Sequence, residues 1–272
     1  MNRAIGIVDG LSSKKNIHNQ LIALFGRANS MDPRLTSEVR HTVRVALMFH
    51  KLFGSRNPKP EPAVAGPYPV SETNVIYQLL FCDIPELFRP NAPAGPAPWQ
   101  QILFAAQPDA AAVRSLAQDR TQESRCRVLA YNWLKKNGQP VPAKELLGVI
   151  VEVPLEGGQE TLAAYIDGRV RYINRTSKFV IFDSAPVNVR EQANKLLAVS
   201  GGAIAQLGPW QGARLAPPKA GNARMTFLVS DGLYFGEGPL PGIDRDQIGG
   251  PVLYEAGKLL TVVVETALAK KA

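Results

Sequence analysis

TLAAYIDGRVRYINRTSKFVIFD, residues 161–183, is the stretch of sequence that decides the fold. Apolar residues open it, and Asp167-Gly168 supplies the positive φ that a tight hairpin turn needs. Charged residues then alternate with Val170 and Tyr172, which is the period of a strand with one buried face. A third apolar run ends the stretch. The pattern therefore predicts an antiparallel β-meander.

A similar pattern returns later in the chain. FLVSDGLYF, residues 227–235, repeats the apolar-Asp-Gly-apolar-Tyr order and predicts a second hairpin with Asp231 in its turn. A helix is expected after each hairpin, the first of them over residues 187–206, where Gly201 and Gly202 can bend or split it. The prediction is an α+β fold, in which an antiparallel sheet of the meander and the second hairpin carries helices mainly on one face.

The region before the meander predicts further helices and one strand. Asp109 is a suitable N-cap for a helix, and a longer helix is expected from Thr121 to Asn137. A strongly apolar strand is expected over residues 146–153, ahead of a glycine-rich hairpin loop. These elements extend the α+β domain on its N-terminal side.

Positive charge is concentrated at one end of the chain. The first sixty residues hold ten Lys or Arg and three Asp or Glu, which accounts for seven of the eight net positive charges. A proline-rich stretch at 54–70 predicts a semi-rigid linker. The expected organisation is a basic, mainly helical N-terminal module (1–53), this linker, and an α+β main domain (71–272), with the small helical module preceding the sheet.

The basic module contains an amphipathic helix that begins near Asp32 and ends at Gly54. Three interpretations of this helix stay open: an element docked on the main domain, a surface for an anionic partner such as nucleic acid, or a helix on a membrane surface. The residues that would contact an anionic partner are Lys14, Lys15, Arg34, Arg40, Arg44 and Lys51.

Recognisable catalytic patterns are missing from the sequence. It has no GxSxG, GxxxxGK[ST] or GxGxxG motif and no histidine after His50, so a Ser-His-Asp triad or a nucleotide site is not expected. Cys82 and Cys126 lack metal-type spacing, and Cys82 is expected to be a small buried hydrophobic residue. Asp167 and Asp231 are explained by their turn positions. No cofactor and no metal are predicted.

An acidic, glycine-rich stretch, residues 236–251, is where a binding loop or lid is expected. Its candidate residues are Glu237, Asp244 and Asp246, whose oxygens suit Mg²⁺ or Ca²⁺ although the spacing lacks an EF-hand pattern. A solvated loop without a ligand is the alternative.

Several stretches resemble those of a family of uncharacterised bacterial proteins. They are LLGVIVEV, TLAAYIDGRVRYIN, GPW and MTFLVSDGLYFGEGP. The resemblance covers residues 71–268, leaves out the basic module, and implies no activity. At the level of fold, a sheet with flanking helices also resembles roadblock and profilin-like adaptor domains.

The sequence favours a cytoplasmic, non-enzymatic interaction or adaptor protein that binds a protein partner, or itself, through its α+β domain. One alternative is a nucleic-acid-associated protein that uses the basic module, and another is a metal-assisted hydrolase that uses the acidic, glycine-rich loop. No apolar run of about 18 residues is present, so no transmembrane segment is expected. The N-terminus also lacks the apolar core of a secretory signal.

Overall fold

The computed structural model of the protein describes residues 66–90 and 95–269. The predicted basic module, with its six candidate contacts to an anionic partner, lies outside these residues, as does most of the predicted linker. The described residues form a six-stranded antiparallel sheet with helices packed against it. The α+β class expected from the sequence is therefore confirmed.

Helices precede, separate and follow the strands of the sheet along the sequence. The strands are β1 (Leu146–Leu155), β2 (Gly158–Tyr165), β3 (Val170–Ile173), β4 (Phe179–Phe182), β5 (Asn222–Val229) and β6 (Gly232–Pro239). The helices are α1 (Ser71–Leu79), α2 (Pro98–Leu103), α3 (Ala110–Gln118), α4 (Ser124–Lys136), α5 (Val187–Gln206), α6 (Leu240–Ile243) and α7 (Gly249–Ala269). A short 3-10 helix spans Pro85–Phe88.

The strands lie in the order β4-β3-β2-β1-β5-β6, and every neighbouring pair is antiparallel. The meander is confirmed, with its first turn at Gly168, where φ is +85°. Asp167 holds this turn in place, since its Oδ2 accepts a 2.7 Å hydrogen bond from the backbone N of Ser124. The second predicted hairpin is β5–β6, with Asp231 in its turn. Helix α5 connects the two parts of the sheet.

The helices cover both faces of the sheet, whereas the sequence pattern predicted them mainly on one. Val149 and Val151 of β1 face α5 and α7. Leu147 and Ile150 of the same strand face α1, α3 and α4. A strand that is buried on both sides needs apolar residues at successive positions, and the near-continuous apolar run of β1 fits that requirement.

Two local predictions are corrected by the packing. Tyr68 is 4% exposed and belongs to the core beside α1, so the irregular linker ends before it. Helix α5 runs unbroken for 20 residues through Gly201 and Gly202. A Cβ at either glycine would meet nothing within 4 Å, so this pair marks an uncrowded side of the helix and not a break.

Other local predictions are confirmed. Asp109 caps α3, because its Oδ2 accepts a 2.8 Å hydrogen bond from the backbone N of Ala112. Cys82 and Cys126 are both buried and unpaired. Helix α4 begins at Ser124, three residues later than expected. Within the described residues, no helix combines the length and the apolarity that a membrane crossing requires.

Candidate interaction site

A row of polar side chains crosses the sheet on the face that α1 covers. Thr161 lies opposite Glu152, and Glu152 lies opposite Arg224. Arg224 in turn lies opposite Glu237 on the edge strand β6. Because neighbours at one level of an antiparallel sheet point to the same side, these four side chains form a continuous polar row.

Glu152 is the most deeply buried member of the row and is fully shielded from solvent. Its Oε1 accepts hydrogen bonds from Tyr77 Oη at 2.6 Å and from Gln159 Nε2 at 3.3 Å. Burial raises the pKa of Glu152, and the hydrogen bond from Tyr77 and the charges of Arg224 and Arg214 oppose that shift. A carboxyl group without solvent access does not meet a substrate, so Glu152 organises the core.

Glu237 forms an ion pair with Arg224. It receives hydrogen bonds on Oε2 from Arg224 Nη2 at 2.6 Å and Nε at 2.8 Å, and Asn222 Nδ2 donates to its Oε1 at 3.1 Å. Partial burial works to raise the pKa of Glu237, but the hydrogen bonds from Arg224 and Asn222 outweigh it and lower the pKa. Arg224 also donates from Nη1 to the carbonyl oxygen of Leu215 at 3.3 Å.

An irregular segment, residues 207–221, joins α5 to β5 and contacts the same face of β5 and β6. Connections of this length without helix or strand are uncommon in compact domains and are often functional. The backbone N of Trp210 donates to the carbonyl oxygen of Leu233 at 2.7 Å, and the Trp210 ring packs edge-on against Phe235 with centroids 5.0 Å apart. The segment is thereby fixed to β6.

Arg214, in the middle of the segment, fixes it to the region around α1. Its Nε donates to Asp83 Oδ2 at 2.6 Å, and its Nη2 donates to Gln78 Oε1. The guanidinium group lies 3.9 Å from the centroid of the Phe81 ring and 5.7 Å from that of Tyr77. Nε and Nη2 make all of the hydrogen bonds that Arg214 forms with the described residues, which leaves Nη1 without one.

Between the segment and the sheet lies a small opening that we call the Trp210 crevice. It is lined by Trp210, Arg214, Leu215, Arg224, Thr226, Leu233 and Phe235. Its volume of about 10 Å³ is close to the room that one water molecule needs and far below that of small-molecule sites. Trp210 and Leu215 are 40% and 41% exposed.

Thr226 has an unusual position in this crevice. The residue is 2% exposed, and its Oγ1 has no hydrogen-bond partner among the described residues. Its cross-strand neighbours are Ile150 and Phe235, whose side chains have no polar atom. A buried hydroxyl group in an apolar setting is unfavourable unless it is paired, so Thr226 carries an unused hydrogen-bonding capacity.

The residues predicted in the acidic, glycine-rich stretch have separate positions. Glu237 belongs to β6 and borders the Trp210 crevice through Arg224. Asp246 Oδ1 accepts hydrogen bonds from the backbone N atoms of Ile248 and Gly249, at the start of α7, and these bonds lower its pKa. Asp244 follows α6 directly. The stretch is largely strand and helix, because β6 pairs with β5 as far as Pro239 and the helices α6 and α7 follow.

Metal binding has no support from the described part of the protein. Residues 66–90 and 95–269 contain no group of three or more His, Cys, Asp or Glu side chains that suits a metal ion.

Comparison of the sequence and fold with protein families, with curated proteins and with solved structures finds no match in any of the three. The residues of the crevice were not singled out by the sequence either. Trp210 and Arg214 stand in a proline- and glycine-rich stretch, which predicts only an irregular connection. The decisive contact, from Arg214 to Asp83, joins residues 131 positions apart, and no local pattern signals it.

Proposed function

We propose that the protein is a non-enzymatic interaction protein that binds a protein partner through the Trp210 crevice. The observation that carries the proposal is the exposure of Trp210 and Leu215 beside a crevice whose two arginines are held by ion pairs. Trp and Arg are the residues most often found to dominate binding energy at protein interfaces. The small volume of the crevice favours a macromolecular partner over a small molecule.

Preorganisation supports this proposal. Trp210 is held through its backbone and its ring, and Arg214 through Asp83 and Phe81. Side chains that are already ordered lose little conformational freedom on binding, so more of the contact energy appears as affinity. The proposal includes a cytoplasmic location, which the two free, buried cysteines favour.

Site-specific cross-linking in native cells tests the proposal. A photoreactive amino acid at Gln211, which is exposed beside Trp210, is expected to give a discrete cross-linked protein, and Trp210→Ala should abolish that product. The matched control is the same label at Glu265, exposed on α7 across the sheet. The partner, once purified, should bind the full-length protein directly. Equal products from both positions, or a product indifferent to Trp210→Ala, would contradict the proposal.

A second candidate function, binding of nucleic acid, rests on the charge distribution. Seven of the eight net positive charges belong to the first sixty residues, which makes that segment suited to a phosphate backbone. The two candidates use different parts of the protein, so they can be tested separately.

A further inference from the structure

We infer that the partner presents a carboxylate group to Arg214 in the Trp210 crevice. This inference rests on the proposed function and specifies the chemistry of the partner. The carboxylate belongs to an Asp or Glu side chain or to the C-terminus of a polypeptide, and apolar groups beside it cover Trp210 and Leu215.

The lining of the crevice is basic, and each of its arginines forms an ion pair with a residue outside the lining. Two of its seven lining residues are arginines, and none is acidic. The acidic partners of these arginines, Asp83 and Glu237, are not among the lining residues. A group that enters the crevice therefore meets arginine, aromatic, leucine and threonine side chains and no acidic one.

Arg214 is better placed than Arg224 to contact a ligand. All three nitrogens of the Arg224 guanidinium donate within the fold, to Glu237 and to the carbonyl oxygen of Leu215. Arg214 keeps Nη1 without a hydrogen bond to any described residue, while Asp83 and Phe81 fix its orientation. Charge-assisted hydrogen bonds from a held guanidinium group are among the strongest in proteins.

Thr226 supplies the second contact. Thr226 lines the crevice, and its hydroxyl group is buried and lacks a partner among the described residues. A carboxylate oxygen would accept a hydrogen bond from this hydroxyl group and remove its penalty of burial. The carboxylate thus satisfies two separate groups at once. Room for about one water molecule limits entry to the tip of a side chain or the end of a polypeptide.

A library of short synthetic peptides, with free or amidated C-termini, provides the test on the purified full-length protein. Peptides that bind should carry an acidic residue or a free C-terminal carboxylate beside Leu or Phe. Replacing that carboxylate by its amide should weaken binding roughly ten- to hundred-fold, as the loss of a charged hydrogen bond does. Arg214→Gln should have a similar effect, and Arg214→Lys a smaller one.

Thr226→Val is the matched variant, because it removes the hydroxyl group and keeps the shape of the side chain. Its folding stability should equal or exceed that of the natural protein, and its affinity for the peptides should fall roughly three- to ten-fold. This variant keeps the test valid even if the Arg214 variants fold poorly.

The outcomes separate the inference from the proposed function. Peptides whose binding needs Trp210, the carboxylate and Arg214 support both. Peptides that need Trp210 but bind equally as amides overturn the carboxylate inference and leave the proposed function standing. A screen without any Trp210-dependent peptide overturns both.

Discussion

The guanidinium group of Arg214 lies 3.9 Å from the centroid of the Phe81 ring, and this contact joins the irregular segment 207–221 to the region around α1. Phe81 is fully buried, and Tyr77 packs edge-on against it with centroids 5.1 Å apart. Tyr77 in turn donates its hydrogen bond to Glu152. A continuous series of contacts, through Phe81 and Tyr77, thus connects Arg214 in the exposed crevice with the buried carboxyl group of Glu152.

Loss of Arg214 should destabilise the fold as well as the crevice. Arg214→Ala removes the hydrogen bonds to Asp83 and Gln78 and the stacking on Phe81, so the free energy of unfolding should fall by about 2–4 kcal/mol in a urea titration. Arg245→Ala, at an exposed position, is the control and should change stability by less than about 0.5 kcal/mol. Equal stability of the two variants would show that Arg214 does not hold the segment.

The β1–β2 hairpin offers a matched pair of glycines. Both Gly157 and Gly158 have positive φ, but only a Cβ at Gly158 would collide with the backbone, at 2.3 Å from the carbonyl oxygen of Arg175. Gly157→Ala should cost about 1–2 kcal/mol because of its positive φ alone, since its added methyl group meets nothing within 4 Å. Gly158→Ala should cost at least about 2 kcal/mol more. Thermal unfolding of the two variants checks the difference.

Glu160 should make stability depend on pH. It lies at a small cavity under α7, lined by apolar residues such as Leu253 and Leu260, and its Oε2 accepts a 2.5 Å hydrogen bond from Tyr172 Oη. Burial raises the pKa of Glu160 to about 7, despite the hydrogen bond from Tyr172. The folded protein therefore holds a proton that the unfolded protein releases near its ordinary pKa of about 4.3.

The direction of the change in stability with pH follows from this difference in protonation. The free energy of unfolding of the natural protein, minus that of the Glu160→Gln variant, should be greatest at low pH. It should fall as pH rises from about 4.3 to 7 and then level off. The total loss should be about 4 kcal/mol. Urea titrations of both proteins between pH 4 and 8 measure the difference, and Gln keeps an oxygen for Tyr172. A difference that stays constant across this range, or rises with pH, would contradict the burial of an ionisable group at this position.

The nucleic-acid alternative predicts a strong salt dependence. If the basic segment contacts phosphates, the affinity of the full-length protein for duplex or single-stranded oligonucleotides should fall steeply as salt concentration rises. Replacing Lys14, Lys15, Arg40 and Arg44 by Gln should weaken binding and flatten the salt slope. Trp210→Ala, which alters only the crevice, serves as the control and should leave the slope unchanged. Absent or salt-independent binding would remove this alternative.

The sequence by itself determined the features that depend on neighbours along the polypeptide. The meander and the second hairpin follow from strand alternation and from Asp-Gly turns, and the cap at Asp109 follows from its local hydrogen bond. Each involves segments that are adjacent along the polypeptide, so the physical cause is visible in the sequence. The same reasoning failed for the stretch 236–251, where strand β6 and the helices α6 and α7 occupy most of a segment whose composition is typical of loops.

Only the tertiary structure decided which faces the helices cover and where a crevice forms. Both depend on contacts between distant segments, as in the pairing of Arg214 with Asp83. Composition marks residues 207–221 as irregular, but it does not reveal that packing leaves Trp210 exposed and Thr226 buried without a partner among the described residues. Exposure and unmet hydrogen bonds are properties of the packed protein, because they depend on what surrounds a side chain in space.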